Sequence, residues 1–167
     1  MSKILLTIIS ISISLLAFSQ NANEYLNSGI RKGELNDYIG AIADFNKAIE
    51  LDPQNASSYY NRGTAKQKLY DFRGAIADFN KAIELDPQKK VVYLNRGIAK
   101  GMLEDKIGAI ADFNKAIELD PKYAKAYYCM GLEKIKYSRN DDGCLDLSKA
   151  GELGEQNAYD MIKIFCQ

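Results

Sequence analysis

An all-α solenoid of antiparallel helix pairs is predicted by three features of this 167-residue sequence. The block GAIADFNKAIELDP occurs at Gly40–Pro53, Gly74–Pro87 and Gly108–Pro121, with starts 34 residues apart. A fixed period of that size marks stacked helical units, each burying its apolar face only against its neighbours. Within a unit, apolar residues recur at the spacing of one helical face. Each block also ends in Asp-Pro, where the residue before proline is driven out of the α region.

Residues 1–19 stand outside this pattern. A single cation, Lys3, precedes the uncharged run Ile4–Phe18. That run is shorter than the roughly 20 residues a spanning helix needs. It ends in Ala17-Phe18-Ser19, with small residues at the −3 and −1 places of a signal-peptidase site. The expectation is a signal peptide cleaved after Ser19, an uncleaved anchor being the alternative. No Cys follows the run to carry a lipid, and no second apolar stretch follows. The mature chain is therefore expected to be exported, periplasmic or secreted, with no stable membrane insertion.

The repeats divide the remainder into units at 22–55, 56–89, 90–123 and 124–157, followed by a closing segment at 158–167. In the second unit, Tyr59, Gly63 and Lys66 recur at i, i+4, i+7 within a first helix over Ala56–Leu69. Gly63 has no Cβ, so a neighbouring helix can come close there. The second helix covers Asp71–Leu85, with Ala75, Phe79, Ala82 and Ile83 on one face and Asp71 as N-cap. Phe79 is placed to fill the space that Gly63 leaves. The fourth register reads DGCLDLSKAGELGE over Asp142–Glu155 and is degenerate.

The pattern resembles the tetratricopeptide repeat: a bulky residue, glycine four on, then Ala, a bulky residue, Ala and Pro. These are Tyr25, Gly29, Ala41, Phe45, Ala48 and Pro53 in the first unit. They are Tyr59, Gly63, Ala75, Phe79, Ala82 and Pro87 in the second, and Tyr93, Gly97, Ala109, Phe113, Ala116 and Pro121 in the third. The fourth keeps Tyr127, Gly131 and Ala150 but has Gly143, Leu147 and Glu155 elsewhere. The resemblance implies a right-handed superhelix of nine helices and a protein-binding scaffold. Gly154 is the expected C-cap of the last pair. Asn157–Phe165 looks like the extra helix that closes such an array.

Composition narrows the chemistry. Lys and Arg number 22, Asp and Glu 22, so no basic excess exists to displace phosphate counterions, and nucleic acid is excluded as partner. With no His there is no imidazole base, nucleophile partner or metal ligand. No enzyme, cofactor or metal is expected. Asp141, Asp142, Glu24 and Glu34 read as solvated surface. So do the sets Asp78, Lys81, Glu84 and their copies, as an outer helical face. Tyr25, Tyr59, Tyr93 and Tyr127 read as one packing column.

In such a pair the first helix lines the inner surface. With Tyr59 facing its partner helix, Ser57, Asn61, Thr64 and Lys68 fall on the opposite side. The matching columns are Asn23, Asn27, Ile30, Glu34, then Val91, Asn95, Ile98, Met102, then Lys125, Cys129, Leu132, Lys136. Asn27, Asn61 and Asn95 recur, and an amide can pair with a peptide bond in either sense. The column looks like the asparagine ladder with which some family members hold an extended peptide. The alternatives are repeat duplication alone or an Asn bonded between adjacent repeats. The family's groove for a terminal carboxylate needs basic residues where this chain has Leu26, Tyr60, Leu94 and Ile30, Thr64, Ile98, so that reading is rejected. Arg62 and Arg96 fall nearer the packing side and are expected to pair with Asp44, Asp78 or Asp112.

Cys129, Cys144 and Cys166 all lie near the C-terminus. Export makes a disulfide plausible. Cys144 sits in the register of Ile42, Ile76 and Ile110, and Cys166 in that of Ile30, Ile98 and Leu132, two apolar columns that can meet. A Cys144–Cys166 pair is expected, with Cys129 free; three buried thiols are the alternative. The functional expectation is a non-catalytic scaffold binding a peptide or protein segment in its concave groove, at Asn27, Asn61, Asn95, Ser57, Thr64, Lys68, Ile98 and Met102. The alternative is an assembly subunit of a cell-envelope complex with no peptide capture. Intact-mass analysis of the exported protein should show Gln20 first; a product retaining Ile4–Phe18 would refute cleavage.

Overall fold

The computed structural model describes residues 21–137 and 140–166. The signal-peptide reading at 1–19 lies outside these residues. Those described form an all-α helical-repeat fold, divided after Leu85 into two compact units. The first holds α1 (21–34), α2 (Tyr38–Leu51), α3 (Ala56–Lys68) and α4 (Phe72–Leu85). The second holds α5 (Lys90–Met102), α6 (Lys106–Leu119), α7 (Ala124–Lys136), α8 (Asn140–Glu152) and α9 (Asn157–Phe165).

The turn inside each pair follows from one aspartate. Asp37, Asp71 and Asp105 each accept a hydrogen bond from the backbone N–H three residues on, at Gly40, Gly74 and Gly108, at 2.9 Å. The same residues close the preceding helix, their N–H groups reaching the carbonyls of Lys32, Lys66 and Lys100. That six-to-one bond is half of a Schellman motif, and its left-handed residue is Asn36, Tyr70 or Glu104, with φ of 62°, 63° and 63°. The capping carboxylate also explains the glycine: a Cβ on Gly74 would lie 2.1 Å from Asp71 Oδ2. Gly154, at φ 99°, closes α8 in the expected way, with Glu155 N–H on the Ala150 carbonyl.

Packing inside each pair turns on a glycine. A Cβ on Gly63 would lie 2.8 Å from Phe79 Cε1 and 3.2 Å from the Ala75 carbonyl. Gly29 against Phe45 and Gly97 against Phe113 repeat the contact. In the fourth pair, two glycines cross instead: Cβ atoms on Gly131 and on Gly143 would each lie 2.8 Å from the other's carbonyl, with buried Leu147 alongside. Around these contacts lie the buried alanines, Ala41, Ala48, Ala75 and Ala82 in the first unit, Ala109, Ala116 and Ala150 in the second.

Two expectations are corrected. Asp78 and Asp112 belong to no solvated face; each is only 4% exposed. The Arg62 guanidinium grips Asp78 by two bonds of 2.9 and 2.6 Å, and Lys66 adds a third cation contact at 2.8 Å. Arg96 and Lys100 do the same for Asp112. Lys81 and Glu84 do stand outside, paired at 2.7 Å. The tyrosine column is not uniformly core either: Tyr93 is buried, Tyr59 and Tyr127 are half-buried, and Tyr25 is 40% exposed. The Arg62 and Arg96 guanidinium groups lie 5.6 Å from the Tyr59 and Tyr93 ring centres, so these rings cover the ion pair as much as the core.

Gly33 breaks the glycine rule. A Cβ there would meet no atom within 4 Å. Gly33→Ala should therefore raise stability by about 0.5–1 kcal/mol, the ordinary gain of alanine over glycine inside a helix. Gly63→Ala should lower it despite the same propensity gain, because the Phe79 ring must move. Urea midpoints check the pair: shifts of the same sign would show that the Gly63–Phe79 approach is not a constraint.

Candidate functional site

The first unit carries a pocket of about 240 Å³ where α1, α2 and α3 converge. Gly29, Ile30, Gly33 and Glu34 line it from α1, Tyr38 and Phe45 from α2, and Asn61, Thr64, Ala65 and Lys68 from α3. Five residues placed on the inner face by sequence thus meet here: Ile30, Glu34, Asn61, Thr64 and Lys68. Asn27 is exposed and Ser57 half-buried, and neither lines the pocket. Asn95, Ile98 and Met102 belong to α5 in the second unit, where Asn95 and Ile98 are half-buried and Met102 is exposed.

The polar groups on the wall are partly committed. Asn61 Nδ2 donates to the Ser57 carbonyl at 2.8 Å, one turn back, and Thr64 Oγ1 donates to the Tyr60 carbonyl at 2.9 Å. The Asn61 amide keeps its carbonyl oxygen and one N–H facing outward from that bond. Tyr38 turns its hydroxyl to Asn36 Oδ1 at 2.7 Å, leaving its ring to the pocket. Glu34 and Lys68, both exposed, stand on its wall with opposite charge.

Gly33, Tyr38 and Ala65 were not among the sequence candidates. The available signal was the register: Gly33 corresponds to Gln67, Gly101 and Ile135, and Ala65 to Arg31, Ala99 and Glu133. Small residues at both places coincide only across α1 and α3 within the first unit.

The buried carboxylates differ along the chain. Burial pushes the Asp44 carboxyl up, but the Lys32 ammonium 2.7 Å away and the Ser28 hydroxyl outweigh it and hold it below the ordinary value. Asp146, in the same register, is pushed above it: burial is the larger effect and Lys134, at 2.5 Å, offsets only part. Among the described residues no group of three or more Cys, Asp or Glu is arranged to hold a metal ion. No described helix is long and apolar enough to cross a membrane.

Cys144 and Cys166 are joined, with Cα atoms 5.8 Å apart, tying α8 to the end of α9. Cys129 is a free thiol on α7. Burial pushes it up to about 11, with Lys125 lowering and Glu155 raising it further. The fold thus favours the neutral thiol. That contribution is complete below the ordinary thiol value of 9.0 and is lost as pH rises through about 11. At pH 8, iodoacetamide should alkylate Cys129 about a hundredfold more slowly in the native protein than in urea. Mass spectrometry of timed quenches measures this; equal rates would place the thiol in solvent.

Comparison with known proteins supports the repeat assignment. The family described as TPR repeat matches residues 34–69 and 108–133, and the one described as Tetratricopeptide repeat matches residues 56–89. No curated protein matches the sequence. A crystal structure of MamA protein is 27% identical, with 80% of this chain and 73% of that chain covered and a TM-score of 0.75. The Arabidopsis OM64 TPR domain is 27% identical over 70% of this chain and 97% of its own, with a TM-score of 0.69. The first TPR of Spaghetti (RPAP3), bound to HSP90 peptide SRMEEVD, is 27% identical over 72% of this chain and 95% of its own, with a TM-score of 0.70.

Proposed function

Because the chain belongs to the tetratricopeptide repeat family, a family of interaction scaffolds, we propose that it is an exported, non-catalytic scaffold that binds a segment of a partner protein on the inner face of its first unit. The observation that carries this reading is the pocket between α1 and α3, with Ile30, Asn61, Thr64 and Lys68 on its walls. Ligand sites combine an apolar recess with a few placed polar groups, and this one has both. The outward half of the Asn61 amide can accept from a peptide N–H and donate to a peptide carbonyl. The peptide bound in one similar structure makes segment capture a reading to which this architecture is suited.

A second reading, an assembly subunit of an envelope complex, is favoured by a different observation. At the turns of the first unit, Leu35 is 80% exposed, Ile39 74% and Tyr70 79%. Solvent-facing apolar residues at a turn edge fit a fixed partner covering that edge. The two readings separate by photo-crosslinking. Benzoylphenylalanine at Lys68, Ile39 or Lys81 should, for segment capture, trap a partner from Lys68 only. Adducts at Ile39 with none at Lys68 would overturn segment capture in favour of assembly, and Lys81 on the outer surface reports non-specific trapping.

A further inference from the structure

The second unit holds a counterpart of the pocket at a register shift of two repeats, 68 residues, and there a side chain already occupies it. Gly33 corresponds to Gly101, Ala65 to Glu133 and Lys68 to Lys136. A Cβ on Gly33 would meet nothing within 4 Å, whereas one on Gly101 would lie 2.9 Å from Glu133 Oε2 and 3.2 Å from Glu133 Cδ. Lys136 Nζ donates to the Gly101 carbonyl at 3.3 Å, closing over the same turn. The recess beside this glycine is therefore sized for one side chain. The second unit fills it from α7, and the first leaves it open because Ala65 stops at its Cβ.

The chemistry of the lining selects the occupant. At about 240 Å³ the pocket is below the usual range of small-molecule sites, yet larger than the roughly 150 Å³ cavity that holds benzene. Ile30, Phe45, Ala65 and the Tyr38 ring form apolar walls. Thr64 and Asn61 spend donors on their own helix. Glu34 and Lys68 oppose each other in sign, so the pocket offers no net charge to complement a charged occupant. A carboxylate in this recess has a poor outcome in the second unit: Glu133 Oε1 is buried there with no hydrogen-bond partner among the described residues. We infer that the first-unit pocket is an anchor subsite for a single uncharged apolar side chain, of leucine or phenylalanine size, from the bound segment, and that Glu133 blocks the equivalent subsite in the second unit. This rests on the segment-capture reading and adds which side chain is selected and in which unit.

The probe is N-acetyl-leucine N-methylamide, titrated into the ¹⁵N-labelled protein, with the alanine, glutamate and lysine analogues alongside. The leucine compound should shift the amides of Gly29, Gly33 and Ala65 saturably, at least about tenfold more tightly than the alanine compound. Two substitutions should abolish those shifts from opposite walls: Gly33→Leu, which enters open space and so keeps the fold, and Ala65→Glu, which installs the second unit's plug. Glu133→Ala should add a second saturable set at Gly97 and Gly101. A preference for the glutamate or lysine analogue, no shift at tens of millimolar, leucine shifts that survive Gly33→Leu in a folded spectrum, or no new set in Glu133→Ala would each overturn the inference. A partner trapped from Lys68 without leucine preference would sink this inference alone; failure of both would sink segment capture with it.

Discussion

The fold depends on how closely the first helix of each pair can approach the second. Gly29, Gly63 and Gly97 let the rings of Phe45, Phe79 and Phe113 lie where a Cβ would stand. That contact brings the backbones together and sets the remaining columns. Only alanine fits at Ala41, Ala75 and Ala109 once the helices are this near, and all three are fully buried. The same approach carries the aspartate one residue before the phenylalanine under the first helix, as Asp44, Asp78 and Asp112. A buried carboxylate is costly unless paired, so the first helix has to return cations to it. Arg62 with Lys66, and Arg96 with Lys100, are that return. One missing methyl group thus dictates a phenylalanine, an alanine, an aspartate and two cations.

The ends of the array show the rule relaxing. In the first pair Ser28 stands where Arg62 and Arg96 stand later, so a hydroxyl and the Lys32 ammonium hold Asp44 in place of an arginine and a lysine. In the last pair Met130 takes the arginine's place, and among the described residues Lys134 is the cation that pairs with Asp146. Burial then outweighs the single lysine and raises the Asp146 carboxyl, whereas the first pair's Lys32 and Ser28 still win. A glycine crossing replaces the phenylalanine in that last pair, and the Cys144–Cys166 link adds a covalent tie where the packing rule is weakest. A terminal unit has one neighbour fewer, which is where a crosslink contributes most.

Much of this was legible in the sequence, because a 34-residue period and the i, i+4, i+7 spacing report angles about a helix axis. Angles placed Phe79 against Gly63, Asp71 at a cap, and Ile30, Asn61, Thr64 and Lys68 on one inner surface. They do not report radial distance. Asp78, at the start of a charged-looking set with Lys81 and Glu84, reads as outer surface unless the reach of Arg62 and Lys66 across the pair is known. Tyr25 reads as core by analogy with Tyr93, yet identical registers have different neighbours at the end of an array. The pocket was illegible for a further reason. It is made by what Gly33 and Ala65 lack, and a missing side chain carries no signal until two helices are seen to leave the same space empty.

The near-identity of the second helices and the divergence of the first then have one physical origin. In Gly74–Pro87 nearly every position is under a constraint: glycine beneath the capping Asp71, alanines at the close approach, phenylalanine on the glycine, aspartate in the ion cluster, and Asp-Pro at the stop. Comparing α3 with α5, the shared residues are Tyr59 and Tyr93, Asn61 and Asn95, Arg62 and Arg96, Gly63 and Gly97, Ala65 and Ala99, Lys66 and Lys100. Arginine, glycine and lysine are required by the partner helix, and tyrosine covers the arginine. Asn61 is different. Its bond to the Ser57 carbonyl satisfies nothing the helix needs, since that carbonyl already lies inside a regular turn. A residue repeated without a demand from the partner helix, beside a register where Thr64 stands in place of Ile30 and Ile98, is where recognition can be written without disturbing the fold.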